Sequence, residues 1–413
     1  MTTPPSASRP AHLDWLRQIT ALPTAAGREW RISNWIKQWV ADRPALHLAD
    51  DAAGNLVVSF KDAPDIDGPR PPLFITAHLD HPAFVVERIL GPGTVELSFR
   101  GGVMDIFFED APVIVHTTGG SRLRATLAGS DNLGIGSPFK HYIAELHESA
   151  DDVAVGDVAT WDFTDGHSAD IIDGLLHTPA CDDLAAVAAA IATMDILADL
   201  AAAGGEEGAV NHTRLLFTRA EEIGFVGAIA ACKLGTMPPN SRVIALENSR
   251  AFDDSPIGGG PIVRVGDRMS IFEPRLTAAC ARRAEEVFAR PAQPIASQTA
   301  ADISKGGARP WQRKLMAGGA CEASVFCGYG YQATCLCLPL GNYHNMPHLA
   351  ELQAGTYDRT TYGPPRCARE FISVADFHGL VDLLVALAQK LPITETGTDR
   401  FERLYAERKF VLE

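Results

Sequence analysis

The sequence predicts an α/β fold, a mixed β-sheet flanked by helices, with a small β-barrel or sandwich inserted into it. Three observations lead there. Short apolar runs that suit buried strands (LFITAH, residues 73–78; LLF, 215–217; ATCLCLPL, 333–340) are interspersed with stretches of helical spacing. Between residues 84 and 177 the character changes to short alternating segments (TVELSF, APVIVHTT, RLRATLAG, VATWDF, HSADIID) separated by Gly- or Asp-rich turns, which reads as a β-rich insert. At 413 residues the chain is long for one compact domain and suits two, one inserted in the other. The expected organisation is a main domain over residues 11–84 and 178–413 and an insert over 85–177.

Composition narrows the class. A hydrophobic share of 46% is ample for a large core. With 36 Lys and Arg against 51 Asp and Glu, the net charge of −15 argues against nucleic acid and against anionic membranes as partners. It suits an ordinary soluble protein or one that gathers cations. The eight cysteines form no C-x-x-C pair, and Cys335 and Cys337 sit in an apolar run, as expected of reduced, buried thiols in a cytoplasmic protein. The N-terminal MTTPPSASRP has no apolar signal core. Residues 184–203 are Ala-rich but carry Asp195 and Asp199, so they read as a core helix rather than a membrane span.

In chain order, residues 13–40 show helical spacing broken at 23–27, hence two helices. Residues 50–60 form a turn and a strand, and 71–80 the next strand. Within the insert, residues 138–148 suit a helix. The Ala-rich helix follows TPACDD, and residues 213–228, TRLLFTRAEEIGFVGA, form a strand closed by two adjacent carboxylates and a glycine-bearing turn. SRVIALE (241–247) is strand-like. Residues 258–260 (GGG) lead into PIVRV without the Lys-Ser/Thr of a phosphate loop and read as a turn. An amphipathic helix over 275–290, the apolar strand 334–340, a closing helix over 376–391 and a short surface helix complete the chain.

Chemistry-bearing residues gather where these strands end. His78 and Asp80 share a face of an extended chain, so one ring nitrogen can meet a metal while the carboxylate takes the proton of the other. Asp182 and Asp183 open a helix, where capping explains one of them. Glu221 and Glu222 are adjacent and point apart, so one can bind a metal while the other holds a water. Glu247 ends a strand and His344 lies in a loop. Each feature alone has a plain structural account: a surface pair, a capping acid or a solvated acidic turn. Together they supply what a two-metal hydrolytic site needs, and mixed imidazole and carboxylate ligands suit Zn²⁺, with Co²⁺ and Mn²⁺ as alternatives.

The motifs AHLDHPAFVV, ACDDLAAV, EEIGFVGA, ALENS and NYHNM, in this order, resemble those of the glutamyl/tetrahedral aminopeptidase family within the co-catalytic zinc peptidase clan. The resemblance runs from ITALPTAAGREW to the closing helix. It implies a zinc-exopeptidase-like fold, two metal ions per subunit held by His78, Asp182, Glu222, Glu247 and His344, and catalysis by Glu221 as general base with Asp80 orienting His78. Asp182 then lies between the metals. It also implies peptide substrates and a homo-oligomer that encloses its active sites. The sequence departs from the family in having Glu247 where Asp is usual, GNYHNM without the Arg before Tyr and the Ser after His, Glu322 in place of Asp, and an apparent insertion at 349–367. These bear on substrate and assembly more than on the metals. An amidase, deacylase or carboxypeptidase of the same clan could use Arg250, Arg264 and Arg268 for a substrate carboxylate. Other readings are a non-catalytic scaffold, or a structural zinc cluster built from Cys321, Cys327, Cys335, Cys337, His344 and His348.

Overall fold

A computed structural model describes residues 8–64, 70–130, 134, 136–148, 151–204, 210–289, 311–391 and 398–412. Helices α1 (Ser8–Thr20) and α2 (Trp30–Ala41) precede strands β1 (Leu46–Asp50), β2 (Leu56–Phe60) and β3 (Leu73–His78). Strands β4 (Ala83–Gly91), β5 (Thr94–Arg100), β6 (Pro112–His116), β7 (Arg122–Gly129), β8 (Lys140–Leu146) and β9 (Val158–Trp161) close into a barrel in the order β4-β5-β8-β7-β6-β9. Closure removes the exposed edges that a small sheet would present. Its core is aromatic: Phe84, Phe99, Phe108 and Trp161 meet edge-on or tilted at centroid distances from 4.8 to 5.9 Å.

The expected helix at 138–148 is strand β8 instead, paired antiparallel with β5 and β7. Tyr142 stacks on Phe108 at 4.6 Å and Ala144 is fully buried two residues on, so the barrel imposes the two-residue period over a weak helical preference.

Strands β10 (Asp170–Ile172), β11 (Leu175–Thr178) and β17 (Glu370–Ser373) make a small antiparallel sheet. Helix α3 (Leu184–Ala202) follows, then β12 (Thr213–Thr218), α4 (Val226–Leu234), β13 (Arg242–Arg250), β14 (Ile262–Asp267), α5 (Pro274–Phe288), β15 (Gln312–Met316), α6 (Glu322–Gly328) and β16 (Gln332–Leu340). Short helices α7 (Leu349–Ala354) and α8 (Arg359–Tyr362) precede β17, and α9 (Val374–Gln389) and α10 (Thr398–Arg408) follow it.

The main sheet has eight strands in the order β1-β2-β12-β3-β13-β16-β14-β15. Its centre, β12-β3-β13-β16, is parallel, while β1, β2 and the β14–β16 pairing are antiparallel. Central strands buried on both faces need near-continuous apolar runs, and β3 and β12 are buried throughout. One face carries α1, α2, α3, α5 and α9, the other α4 and α6. Helix α3 is long and apolar enough to cross a membrane, but thirteen of its nineteen residues are buried against the sheet and neighbouring helices, as a core helix requires. All eight cysteines are free thiols.

Candidate metal centre

Four adjacent parallel strands bring their carboxyl ends to one edge of the sheet, where α/β folds place their sites. His78 ends β3 opposite Thr218, the last residue of β12. Glu221 and Glu222 occupy the turn into α4. Gly227 is required there, because a Cβ would lie 2.3 Å from the Arg219 carbonyl oxygen, and Gly224 turns the chain at φ +116°. Glu247 lies within β13, which continues three residues past it, rather than at the strand's end. Asp182 follows the small sheet, in the loop between β11 and α3. His344 comes from the loop after β16, where Asn342, His344, Asn345 and His348 all have positive φ. Such left-handed non-glycine residues are costly and cluster at functional loops.

These side chains converge. Asp182 turns one oxygen to each histidine: Oδ1 is 3.5 Å from His78 Nε2 and Oδ2 is 3.4 Å from His344 Nε2. Glu247 Oε1 and Glu221 Oε2 each lie 3.9 Å from His78 Nε2, and Glu222 Oε1 lies 3.4 Å from His344 Nε2. Ligands about 2.0–2.1 Å from a tetrahedral zinc stand roughly 3.3 Å from one another, so these separations suit donors around cations. His78, Asp182 and Glu222, and likewise His78, Glu221 and Glu247, can each share one ion. Asp182 Oδ1 and Asp183 Oδ1 are buried without a hydrogen-bond partner, a costly arrangement unless a cation fills it. The donor set fits a divalent cation.

Other groups orient these side chains. Asp80 is fully buried and its carboxylate accepts the backbone N–H of Glu221 at 2.9 Å through Oδ1 and that of Glu222 at 3.0 Å through Oδ2. The expected bond from the His78 ring to the Asp80 carboxylate is replaced: Nδ1 lies 3.1 Å from the Asp80 carbonyl oxygen and 3.5 Å from Oδ1. The carboxylate is spent on the two N–H groups instead, and Nε2 of His78 faces the cluster. His344 Nδ1 donates to the Gly102 carbonyl at 2.6 Å, so a barrel-side turn holds that ring. Asp183 opens α3 but caps nothing with its side chain; it accepts the His78 backbone N–H at 3.2 Å.

Two partners had no signal in the sequence. His81 bonds the Asp182 carbonyl through Nδ1 and Asn345 Oδ1 through Nε2 at 3.0 Å. Glu370, in β17, accepts the N–H groups of Cys181 at 2.6 Å and Asp182 at 3.1 Å. Glu370→Ala leaves two buried donors unpaired at about 1–3 kcal/mol each. Denaturant unfolding of the metal-free protein should show that loss, zinc affinity should fall, and Glu370→Gln, which keeps an acceptor oxygen, should restore most of both.

The electrostatics follow from crowding. Burial pushes the Glu222 carboxyl up to about 8, with Asp182 and Asp80 adding to the rise against the pull of His344. Burial raises Glu221 well above the usual carboxylate range, and it raises Glu322 to about 7. Burial lowers His344, but Glu222 and Asp182 outweigh it and hold the ring up at about 10. Burial raises Asp182 too, yet its contacts with His344 and His78 hold it well below its ordinary range.

Cys321, Cys335 and Cys337 pack in the core on the α4–α6 side of the sheet, and His348 lies apart, 3.9 Å from Glu351. Among the described residues, the groups able to share a cation contain no cysteine. A cavity of about 770 Å³ opens onto the cluster. Arg250, Arg264, Arg268 and Lys314 line it together with Leu349 and Gln353 of the 349–367 segment, and Gln353 Oε1 accepts from Arg250 at 2.7 Å.

No family model matches the chain, and no curated protein matches it. Solved structures do. An aminopeptidase from the archaeon Desulfurococcus kamchatkensis aligns with TM-score 0.66 and 18% identity over 92% of this chain and 95% of its own. The Pyrococcus horikoshii TET1 peptidase, described as assembling into a tetrahedron or a large octahedral shell, aligns with TM-score 0.64 and 20% identity over 91% and 99%. A Thermotoga maritima protein described as an endoglucanase aligns with TM-score 0.57 and 18% identity over 91% and 96%. The chain thus has the fold of the TET aminopeptidases, a mixed sheet carrying a closed antiparallel barrel. The differing descriptions leave the activity to be argued from the site.

Proposed function

We propose that the protein is a metal-dependent aminopeptidase that removes N-terminal residues from peptides at a two-metal centre. The observation that carries this reading is Asp182, whose two oxygens face two different histidines at 3.5 and 3.4 Å. In this reading Asp182 is shared, His78 and Glu247 complete one position, and Glu222 and His344 the other. Zinc is the expected ion. Bound there, the pair would supply Lewis-acid polarisation of the scissile carbonyl and acidify a water. Glu221 holds and moves the proton: its carboxylate borders the cavity, and burial keeps its affinity for a proton high. Asp80 fixes Glu221 and Glu222 through their backbone N–H groups, so base and ligand keep a constant relation.

The insert over 85–177 is assigned to assembly and substrate access in a homo-oligomer, and the cytoplasm is the expected compartment. A second reading, hydrolysis of an amide whose substrate bears a carboxylate, draws on Arg250, Arg264 and Arg268 in the same cavity. A mixed peptide pool separates the two. Zinc-dependent stepwise trimming from free N-termini, absent for N-acetylated peptides, supports the aminopeptidase. Cleavage of N-acylated substrates without trimming supports the second.

Metal binding and pH are linked with a definite sign. A carboxyl raised in the fold, as Glu222 and Glu322 are from an ordinary 4.5, contributes stability that is full below 4.5 and lost as pH rises through about 8 and about 7. His344, raised to about 10, acts in the same direction above its ordinary 6.5, whereas the Asp182 contribution is lost only in acid. Divalent cations replace those protons. The gap in Tm between zinc-loaded and metal-free protein should therefore widen from about pH 5.5 to about pH 8. A gap independent of pH contradicts the linkage.

A further inference from the structure

A second cavity, of about 440 Å³, lies between the barrel and the main domain and shares no lining residue with the cavity at the candidate metal centre. Its walls come from the α1–α2 connection, the start of α2, the β6–β7 hairpin, β9 and the loop before α3. In a protein of net charge −15, no Asp or Glu among the described residues lines it, whereas Arg31, Arg122, His81, His116 and His167 do.

Two hydrogen-bond donors in its lining residues are unused. Arg31 Nη2 donates to the carbonyls of His116 at 2.9 Å and Thr117 at 3.2 Å, but its Nη1 is buried with no partner. Trp161, 2% exposed, has its indole Nε1 buried with no partner. Unpaired buried donors call for an acceptor. The acids behind the wall are already engaged: Asp157 accepts from Thr118 and Ala154, and Asp162 pairs with His167 and Arg124. The positive character is also felt by His116, which burial first, then Arg122 and Arg31, push down to about 3. Beside these donors stand aromatic surfaces, Trp30, Trp161 and Phe163, with Trp30 41% exposed.

We propose that this cavity binds a small oxyanion, a carboxylate or phosphate monoester, carried on a flat apolar body. Arg31, Arg122 and Trp161 Nε1 take the oxyanion, and Trp30 and Phe163 border the body. A zwitterionic amino acid fits poorly, since no carboxylate lines the cavity to pair its ammonium. The site is within one residue of the metal loop, because His81 lines it and bonds the Asp182 carbonyl.

The test is calorimetric titration of the full chain with benzoate, phenyl phosphate, inorganic phosphate and, as a cationic control, benzylamine. Benzoate or phenyl phosphate should bind once per chain, the tighter of the two identifying the head group, and benzylamine should not bind. Oxyanions can also settle on metals, so variants assign the site. Arg31→Met should weaken binding by about tenfold or more, and Trp161→Phe, which keeps an aromatic ring but removes the indole N–H, and Arg122→Gln, which removes the charge at the surface, should each weaken it several-fold. Undiminished affinity in all three variants, or no saturable binding of either aromatic anion, overturns the proposal. Inorganic phosphate binding as tightly as phenyl phosphate overturns the assignment of an apolar body.

Discussion

Glu221→Gln should lower kcat on peptides with free N-termini by at least about 10²–10⁴-fold, the usual worth of a positioned general base, while zinc content stays unchanged. Glutamine keeps the size and one acceptor oxygen of glutamate but cannot take a proton. The substitution leaves the local backbone as it is, because Asp80 grips the Glu221 backbone N–H rather than its side chain. Glu221 is one of the less enclosed members of the cluster, at 9% exposure, and it borders the cavity where a substrate must enter. Steady-state rates with metal analysis of the same samples make the measurement. A rate within about threefold of the unaltered protein would remove Glu221 from the proton-transfer role.

Asp182→Ala should be more damaging still, because it strips both positions at once. Each histidine would lose the carboxylate oxygen it faces, and the link between the two imidazoles goes with it. Zinc content should fall from two per chain to one or fewer, with activity below that of Glu221→Gln. The metal-free variant should nevertheless stay folded. Glu370 still holds the backbone N–H groups of residues 181 and 182. This sets it apart from Glu370→Ala, where the fold itself is weakened.

The large elements were legible because their signals are local. The apolar runs of β3, β12 and β16 and the alternation in the barrel strands are periodicities within a few residues, and they pointed to a mixed sheet and a small β-barrel, although HSADIID, read as part of the insert, contributes β10 of the separate β10-β11-β17 sheet. Where local preference was weak and closure decided, as in β8, the reading went the other way. The site divides similarly. His78, Asp182, Glu221, Glu222, Glu247 and His344 stood out as polar groups at the ends of apolar runs, and the fold brings all six together.

What supports those residues was hidden. Asp80 meets the N–H groups of Glu221 and Glu222 across 141 and 142 residues of sequence, Glu370 meets Cys181 across 189, and Gly102 meets His344 across 242. No spacing rule reaches that far. Asp80 was thus recognised by its place beside His78, while its carboxylate serves another pair of groups. Asp183 looked like a helix cap because capping is the local use of an acid at that position; burial beside His78 gives it a different partner.

Counting metals is the most direct test of the central claim. The chelated protein would be dialysed against Zn²⁺, freed of excess, and its zinc measured by atomic emission against protein concentration. An Asp182-bridged centre predicts two ions per chain, restored together with peptide trimming. One ion or none in fully folded protein would contradict it.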